Sequence, residues 1–333
     1  MGIRGLSTWI RWATPESAAL PVWGALRGKR VGIDILGLLY KAKAQRVPLE
    51  KYLAQFMVRC RMYGIIPVPI FDGKPPDEKR PMLAQRAERR IHASKRHAKL
   101  VAASSTVVIP EGRKVIIEEE LQRLEFTANF LTSEERDVAK QFFYACGVMS
   151  YNATGEADNI LAYLARRGLV DAVISNDFDM LARGVPLLLV PETYALPGDT
   201  SGWCSYNLES ITKAVQLTYD QFLEMCVLMG CDYLTDVLIL PYKTAYWAIK
   251  YRGDMYKTLT AYNIVDTTPY TKAKSILVGD KETLESLMGE KQWEKWSKSV
   301  SEPLKAEPET LYKLQDTILH LPLQELTLLL GAV

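Results

Sequence analysis

In "DAVISNDFDML", residues 171–181, the apolar run Ala172-Val173-Ile174 leads straight into Asp177 and Asp179. In an extended segment, residues two apart point the same way. Two carboxylates held side by side repel unless a proton or a cation lies between them. Aspartate is also a common turn former, so this stretch reads equally as a solvated turn and as a cation site. The pattern recurs: "KRVGIDI" (29–35) runs into Asp34, and "IIPVPIFDG" (65–73) runs into Asp72. A further pair, Glu156 and Asp158, stands in "TGEADN".

The elements that must carry these acids alternate. Strands are expected at 29–35 and 65–73 and before Asp177. "LEKYLAQFMVRCRMYG" (49–64) reads as a helix stopped by Gly64, and "TSEERDVAKQFFYACG" (132–147) as one opened by a capping box from Thr132 to Glu135. Further helices are expected at roughly 77–103, 114–130 and 155–167. This rhythm implies an α/β fold with a mostly parallel central sheet flanked by helices. The C-terminal ends of parallel strands share one edge, where ligands bind, so Asp34, Asp72 and Asp177 are delivered together. Glu156 and Asp158 would diverge within a regular helix and can converge only if the helix begins there, with its first turn aimed at the other acids. His92, His97 and His320 lie elsewhere. An all-oxygen cluster suits Mg2+ or Mn2+, and paired divalent ions on shared carboxylates are the usual device for phosphodiester hydrolysis.

From Lys79 to Lys99 the bases are Lys79, Arg80, Arg86, Arg89, Arg90, Lys95, Arg96 and Lys99, against the single acid Glu88. Helical spacing puts Lys79, Arg86 and Arg90 on one face. Such a face serves as a solvated surface or as a polyanion contact. The formal charge of the 333-residue chain is only +2, so any basic surface must be local. Five scattered cysteines without a CxxC pair suggest neither a zinc site nor a disulfide framework, and favour a reducing compartment. No signal peptide or membrane span is expected, and the chain is read as having no membrane partner.

In order along the chain stand "MGIRGL", "VGIDILGLLY", "PVPIFDGKPPDEKR", "GEADNILAYL", "AVISNDFDMLARG" and "GCDYL". Together they resemble the flap endonuclease/XPG family of structure-specific 5′ nucleases, in its flap endonuclease and exonuclease 1 branches. The resemblance implies a PIN-like nuclease core over 1–253, with a helical arch inserted at about 74–130. It also implies a helix-turn-helix DNA-binding region at about 219–251, with 254–333 a helical extension that carries no readable motif. It implies two Mg2+ ions, replaceable by Mn2+, on Asp34, Asp72, Glu156, Asp158, Asp177, Asp179 and Asp232. Lys79 and Arg86 stand where the family places phosphate-polarising bases. Tyr40 stands where it stacks a base, although a lone tyrosine after an apolar run also serves as core. Gly2, in an N-terminus folded close to the active site, is expected to contact DNA, and Arg89, Arg90, Lys95 and Arg96 continue the basic arch as DNA contacts. The partner is then DNA, branched, nicked or 5′-ended, bound by a monomer in the nucleus or at a viral replication site.

Two departures matter. Asp158 stands where flap endonucleases usually carry glutamate and the exonuclease 1 branch carries aspartate. The family's glycine-rich hairpin, which offers backbone groups to phosphate and a potassium ion, is replaced by "VLILPYKTAYWAIK" (237–250), so Lys243 and Lys250 are expected to hold duplex instead. No Q-x-x-L-x-x-F-F sliding-clamp motif is present. Two other readings remain: a nuclease of the same fold that cuts RNA, and a catalytically silent nucleic-acid scaffold. Keeping all seven acids argues against the scaffold, which has no need to concentrate like charges.

Overall fold

The computed structural model describes residues 2–19, 23–106, 111–128, 130–191, 203–234, 237–279 and 287. Among them, strands β1 (Ala18–Ala19), β2 (Arg30–Asp34), β3 (Ile66–Phe71), β4 (Tyr151–Asn152), β5 (Ala172–Ile174), β6 (Leu187–Pro191) and β7 (Trp203–Asn207) form one sheet. Their lateral order is β1-β7-β6-β5-β2-β3-β4. From β6 to β4 all neighbours are parallel, while β7 and β1 add an antiparallel edge. The expected mostly parallel α/β sheet is what forms.

Register does the positioning. Asp34 lies opposite Ile70 on β3, and Ile33 lies opposite Ile174 on β5. The C-terminal ends of β5, β2 and β3 are therefore level and adjacent. Side chains alternate between the two faces. Val31 and Ile33 of β2, with Ala172 and Ile174 of β5, join one core layer with Leu53, Phe56 and Phe143. Val68 and Ile70 of β3, with Val173 of β5, join the other with Trp9, Leu161 and Phe222. Gly32 faces that second layer, where a Cβ would come within 2.7 Å of the Leu161 side chain.

Helices Arg80–Thr106 and Glu111–Ala128 pack together as the expected arch, with Ala93 and Leu124 buried and Arg96 paired to Glu120 at 3.0 Å. Pro76 keeps Pro75 out of helical geometry and itself stands as the extended N-cap of a 3-10 turn, Asp77–Lys79, that leads into the first arch helix. Lys43 anchors the arch's return, donating to the Phe130 carbonyl at 2.6 Å and pairing with Glu135 at 2.8 Å. The capping box at Thr132 and Glu135 is present.

Helices Tyr219–Met229 and Tyr242–Arg252 pack as the expected pair. The segment after residue 253 is no appendage. Met255, Leu259, Tyr270, Ala273 and Leu277 sit in the layer that holds Trp9, and Lys274 bridges Asp220 at 2.7 Å and Glu224 at 2.8 Å. The core therefore runs past 253 at least to helix Thr268–Val278. Residues 280–333, apart from 287, lie outside the described residues.

Candidate active site

Asp34 ends β2 and caps helix Ile35–Ala44, accepting from the Gly37 N–H at 3.1 Å and the Ser175 hydroxyl at 2.9 Å. Asp72, just after β3, accepts from the Ala157 N–H at 2.6 Å. That bond places Asp72 at the start of helix Ala157–Arg166, where Glu156 is the N-cap and Asp158 falls in the first turn. The helix begins where the i,i+2 pair requires it to, with its N-terminus among the acids.

The pair that motivated the site forms differently from the strand expectation. β5 ends at Ile174, and Asp179 opens a short helix, Asp179–Ala182. The two carboxylates are therefore brought together by a turn and not by strand alternation, close enough that Asp177 pushes the Asp179 carboxyl up. The Asp177 carboxylate accepts from the Asp179 N–H at 3.0 Å, which turns the chain, while the buried Asp179 carboxylate accepts from the Ile3 N–H at 2.6 Å. Gly2 lies so close that a Cβ there would sit 2.2 Å from Asp179 Oδ2. The N-terminal turn thus packs directly against the Asp179 carboxylate.

Asp34, Asp177, Asp179 and Asp232 line an open cleft of about 1070 Å³, with Gly2, Ile3 and, from the arch, Pro81, Met82, Gln85 and Arg89. Asp72, Glu156 and Asp158 flank it within electrostatic reach. Burial, then the neighbouring Asp72, pushes the Asp34 carboxyl up to about 6 against the Gly37 and Ser175 hydrogen bonds. Burial raises Asp158 well above the usual range, opposed by Arg183 and reinforced by Asp34, Asp177 and Asp72. Asp179 is likewise raised well above it, by burial and then by Asp177. Asp72 and Asp232 are raised chiefly by burial. Oxygen donors that share this much uncompensated charge fit a hard divalent cation. They are not a closed cage: among the described residues no three acidic, histidine or cysteine groups converge as a metal-holding set. Instead the carboxylates are turned onto backbone N–H groups and bases.

Those bases come from the arch. Lys79 Nζ is bonded to Glu156 Oε1 and lies 5.1 Å from the Tyr233 ring centroid. Burial disfavours its charge, yet Tyr233, Glu156 and Asp158 hold it above the ordinary lysine value. Arg86 Nη2 donates to Asp232 Oδ2 at 2.9 Å. Both gateway bases therefore meet the carboxylates directly. Of the other arch bases, Arg89 lines the cleft, whereas Arg90 and Lys95 border a separate hollow with Ile91 and Phe130, and Arg96 is tied to Glu120. Tyr40, 36% exposed on helix Ile35–Ala44, is a surface ring and not core. Lys243 is exposed with its ammonium 4.9 Å from the Trp12 ring centroid. Lys250 is used inside the fold. Its ammonium donates to the Val215 and Gln216 carbonyls at 2.8 and 3.1 Å, closing the end of helix Leu208–Val215.

Sequence reasoning missed Arg183, Tyr233, Asn159 and Ser175. Arg183 is 2% exposed, donates to Asn159 Oδ1 at 2.5 Å and to the Tyr233 hydroxyl at 2.6 Å, and lies 3.7 Å from Glu156 Oε2. Burial opposes its charge, but Tyr233, Asp158, Glu156 and Asp179 keep its pKa above the usual value. The available signal was a lone arginine set in the apolar run "MLARGVPLLLV".

The cleft thus sets carboxylates at the C-terminal edge of a parallel sheet against a basic helical arch, an α/β architecture of the 5′ nuclease type. Residues 1–93 match the XPG N-terminal domain and residues 147–232 match the XPG I-region. The chain belongs to the XPG/flap endonuclease family of structure-specific 5′ nucleases. It is 29% identical to flap endonuclease 1 of Brugia malayi, over 82% of this chain and 71% of that one. It is 26% identical to flap endonuclease 1 of Glycine max, over 91% and 81%. The fold is similar to the catalytic core of Rad2 in complex with DNA substrate, with a TM-score of 0.56, 19% identity and coverage of 97% and 98%. It is also similar to human GEN1 in complex with Holliday junction DNA, with a TM-score of 0.52, 15% identity and coverage of 99% and 77%.

Proposed function

We propose that the chain is a Mg2+-dependent 5′ nuclease that hydrolyses phosphodiesters of flapped, nicked or 5′-ended DNA in replication, repair or recombination. One observation carries this reading: two opposite charge systems meet at one cleft, acids from adjacent parallel strands and Lys79 and Arg86 from a basic helix. Asp34, Asp72, Glu156, Asp158, Asp177, Asp179 and Asp232 would hold two Mg2+ ions, with Mn2+ able to substitute. When bound, the ions supply Lewis-acid stabilisation of phosphate charge and an activated water at neutral pH. Glu156 and Asp232 hold Lys79 and Arg86 beside the other carboxylates. A substrate phosphate offers both bases a replacement acceptor, so their charge is delivered at the scissile group. Asp179 keeps the N-terminal turn against the same cleft, and the exposed Tyr40 ring is free to stack a base. The five cysteines are free and buried, which suits a reducing compartment, the nucleus or a viral replication site. The nuclease would act there as a monomer.

The test is a panel of labelled 5′ flap, nick, gap and four-way junction DNAs, with an RNA of matching sequence, in Mg2+ and in EDTA. Expected is Mg2+-dependent cleavage of DNA at the structural discontinuity. Preferential cutting of the RNA would move the assignment to a ribonuclease of the same fold, and no cutting of any substrate would refute catalysis.

A further inference from the structure

Arg183 follows the short helix that starts at Asp179, and it is 2% exposed. A guanidinium this deep is costly unless its charge is used. Three carboxylates of the cleft act on it: Asp158, Glu156 and Asp179. Its Nη2 donates to the Tyr233 hydroxyl at 2.6 Å, and that hydroxyl donates to Glu156 Oε2, also at 2.6 Å. Its Nη1 donates to Asn159 Oδ1 at 2.5 Å, on the helix that carries Asp158. Its Nε is buried without an acceptor. Hydrogen bonding by itself therefore does not account for the residue, whereas its charge does. Arg183 lies 3.7 Å from Glu156 and acts through its charge on Asp158 and Asp179 from a buried position.

We propose that Arg183 is a positioning residue of the carboxylate site: an internal cation that holds Glu156 through Tyr233 and sets how far the folded state depends on divalent metal. The proposal rests on the cleft being a divalent-cation site. A bound metal and Arg183 offset the same negative charges, so their effects oppose each other. With Arg183 in place, the metal-free site carries its acids with one charge already compensated. Without it, the same carboxylates are buried with less compensation, and any cation that enters is attracted more strongly. A ligand that binds only the folded form then stabilises that form further.

The experiment compares thermal midpoints of wild type, Arg183→Met and Arg183→Lys in EDTA and in Mn2+, at mildly alkaline pH, with Mn2+ titrated calorimetrically without DNA. Methionine keeps bulk and removes charge, while lysine keeps charge and alters the hydrogen bonds. Expected is a lower midpoint for Arg183→Met in EDTA, a larger rise on adding Mn2+ than in wild type, and half-saturation at least ~10-fold lower in Mn2+. Arg183→Lys should show the wild-type Mn2+ increment. Folding of Arg183→Met only when Mn2+ is present also supports the proposal. Equal Mn2+ increments in all three proteins, weaker Mn2+ binding by Arg183→Met, or an Arg183→Met chain unfolded with and without metal would overturn it. A wild type that binds no Mn2+ would instead sink the metal-site reading itself.

Discussion

Adding one methyl group at Gly2 tests how tightly the N-terminal turn is built into the active site. A Cβ at this position would lie 2.2 Å from Oδ2 and 2.3 Å from Oδ1 of Asp179, so chain or carboxylate must retreat by about 1 Å to regain ordinary contact. Asp179 has little room to yield, being buried and bonded to the Ile3 N–H. Ile3 is itself packed in the core with Leu6 and Trp9. A displacement of ~1 Å in catalytic geometry costs on the order of 100-fold in rate, which is ~2.7 kcal/mol of barrier. Loss of the buried hydrogen bond removes a further ~1–3 kcal/mol of stability. Single-turnover cleavage of a saturating 5′ flap substrate by Gly2→Ala should therefore fall by about two orders of magnitude. Gly24→Ala is the control, since a Cβ there meets nothing within 4 Å. A Gly2→Ala enzyme within about two-fold of wild type would refute the claim that this turn sets the position of Asp179.

Asp34→Ala or Asp179→Ala should abolish cleavage while leaving DNA binding in EDTA intact or tighter, because fewer carboxylates repel phosphate; wild-type rates in either would rule out the assigned site. Lys79→Ala and Arg86→Ala should lower kcat more than they raise KM, and a pure KM effect would make the helix an electrostatic tether. Asp34 has a folded-state pKa near 6, above its unfolded value, so the metal-free fold loses stability as pH rises from ~4 to ~6, by roughly 3 kcal/mol for this group. Protons compete with metal over the same window, so Mn2+ affinity measured calorimetrically should drop as pH falls through ~6; a flat profile would contradict the raised value. Leu240 spends its N–H on the Leu228 carbonyl at 2.8 Å and Pro241 has none, so cleavage should be salt-sensitive yet indifferent to K+ versus Na+ at equal ionic strength. A clear K+ requirement in rate measurements would show that an ion site survives the altered hairpin.

Short-range chemistry was legible in the sequence because it acts through neighbours along the chain. Apolar runs ending in Asp34, Asp72 and the Asp177 segment mark strand ends, and the spacing of Glu156 and Asp158 demands a helix start at that point. Thr132 and Glu135 announce a helix N-terminus, and the one-sided base composition after Lys79 announces a charged helix. Strand order was settled only by folding, since whether β5, β2 and β3 lie side by side depends on how two core layers pack on the sheet. The strand before Asp177 was legible as the apolar run that ends at Ile174, but the turn that follows, in which the Asp177 carboxylate accepts from the Asp179 N–H, was decided only by folding. Lys250 looked like a free surface base because a sequence cannot show that Val215 and Gln216 carbonyls, over thirty residues away, need its protons. Arg183 stayed hidden for the same reason. Its meaning lies in Glu156, Asn159 and Tyr233, three partners brought to it from two other segments, and only the tertiary structure turns an arginine in an apolar run into the buried counter-charge of an acidic site.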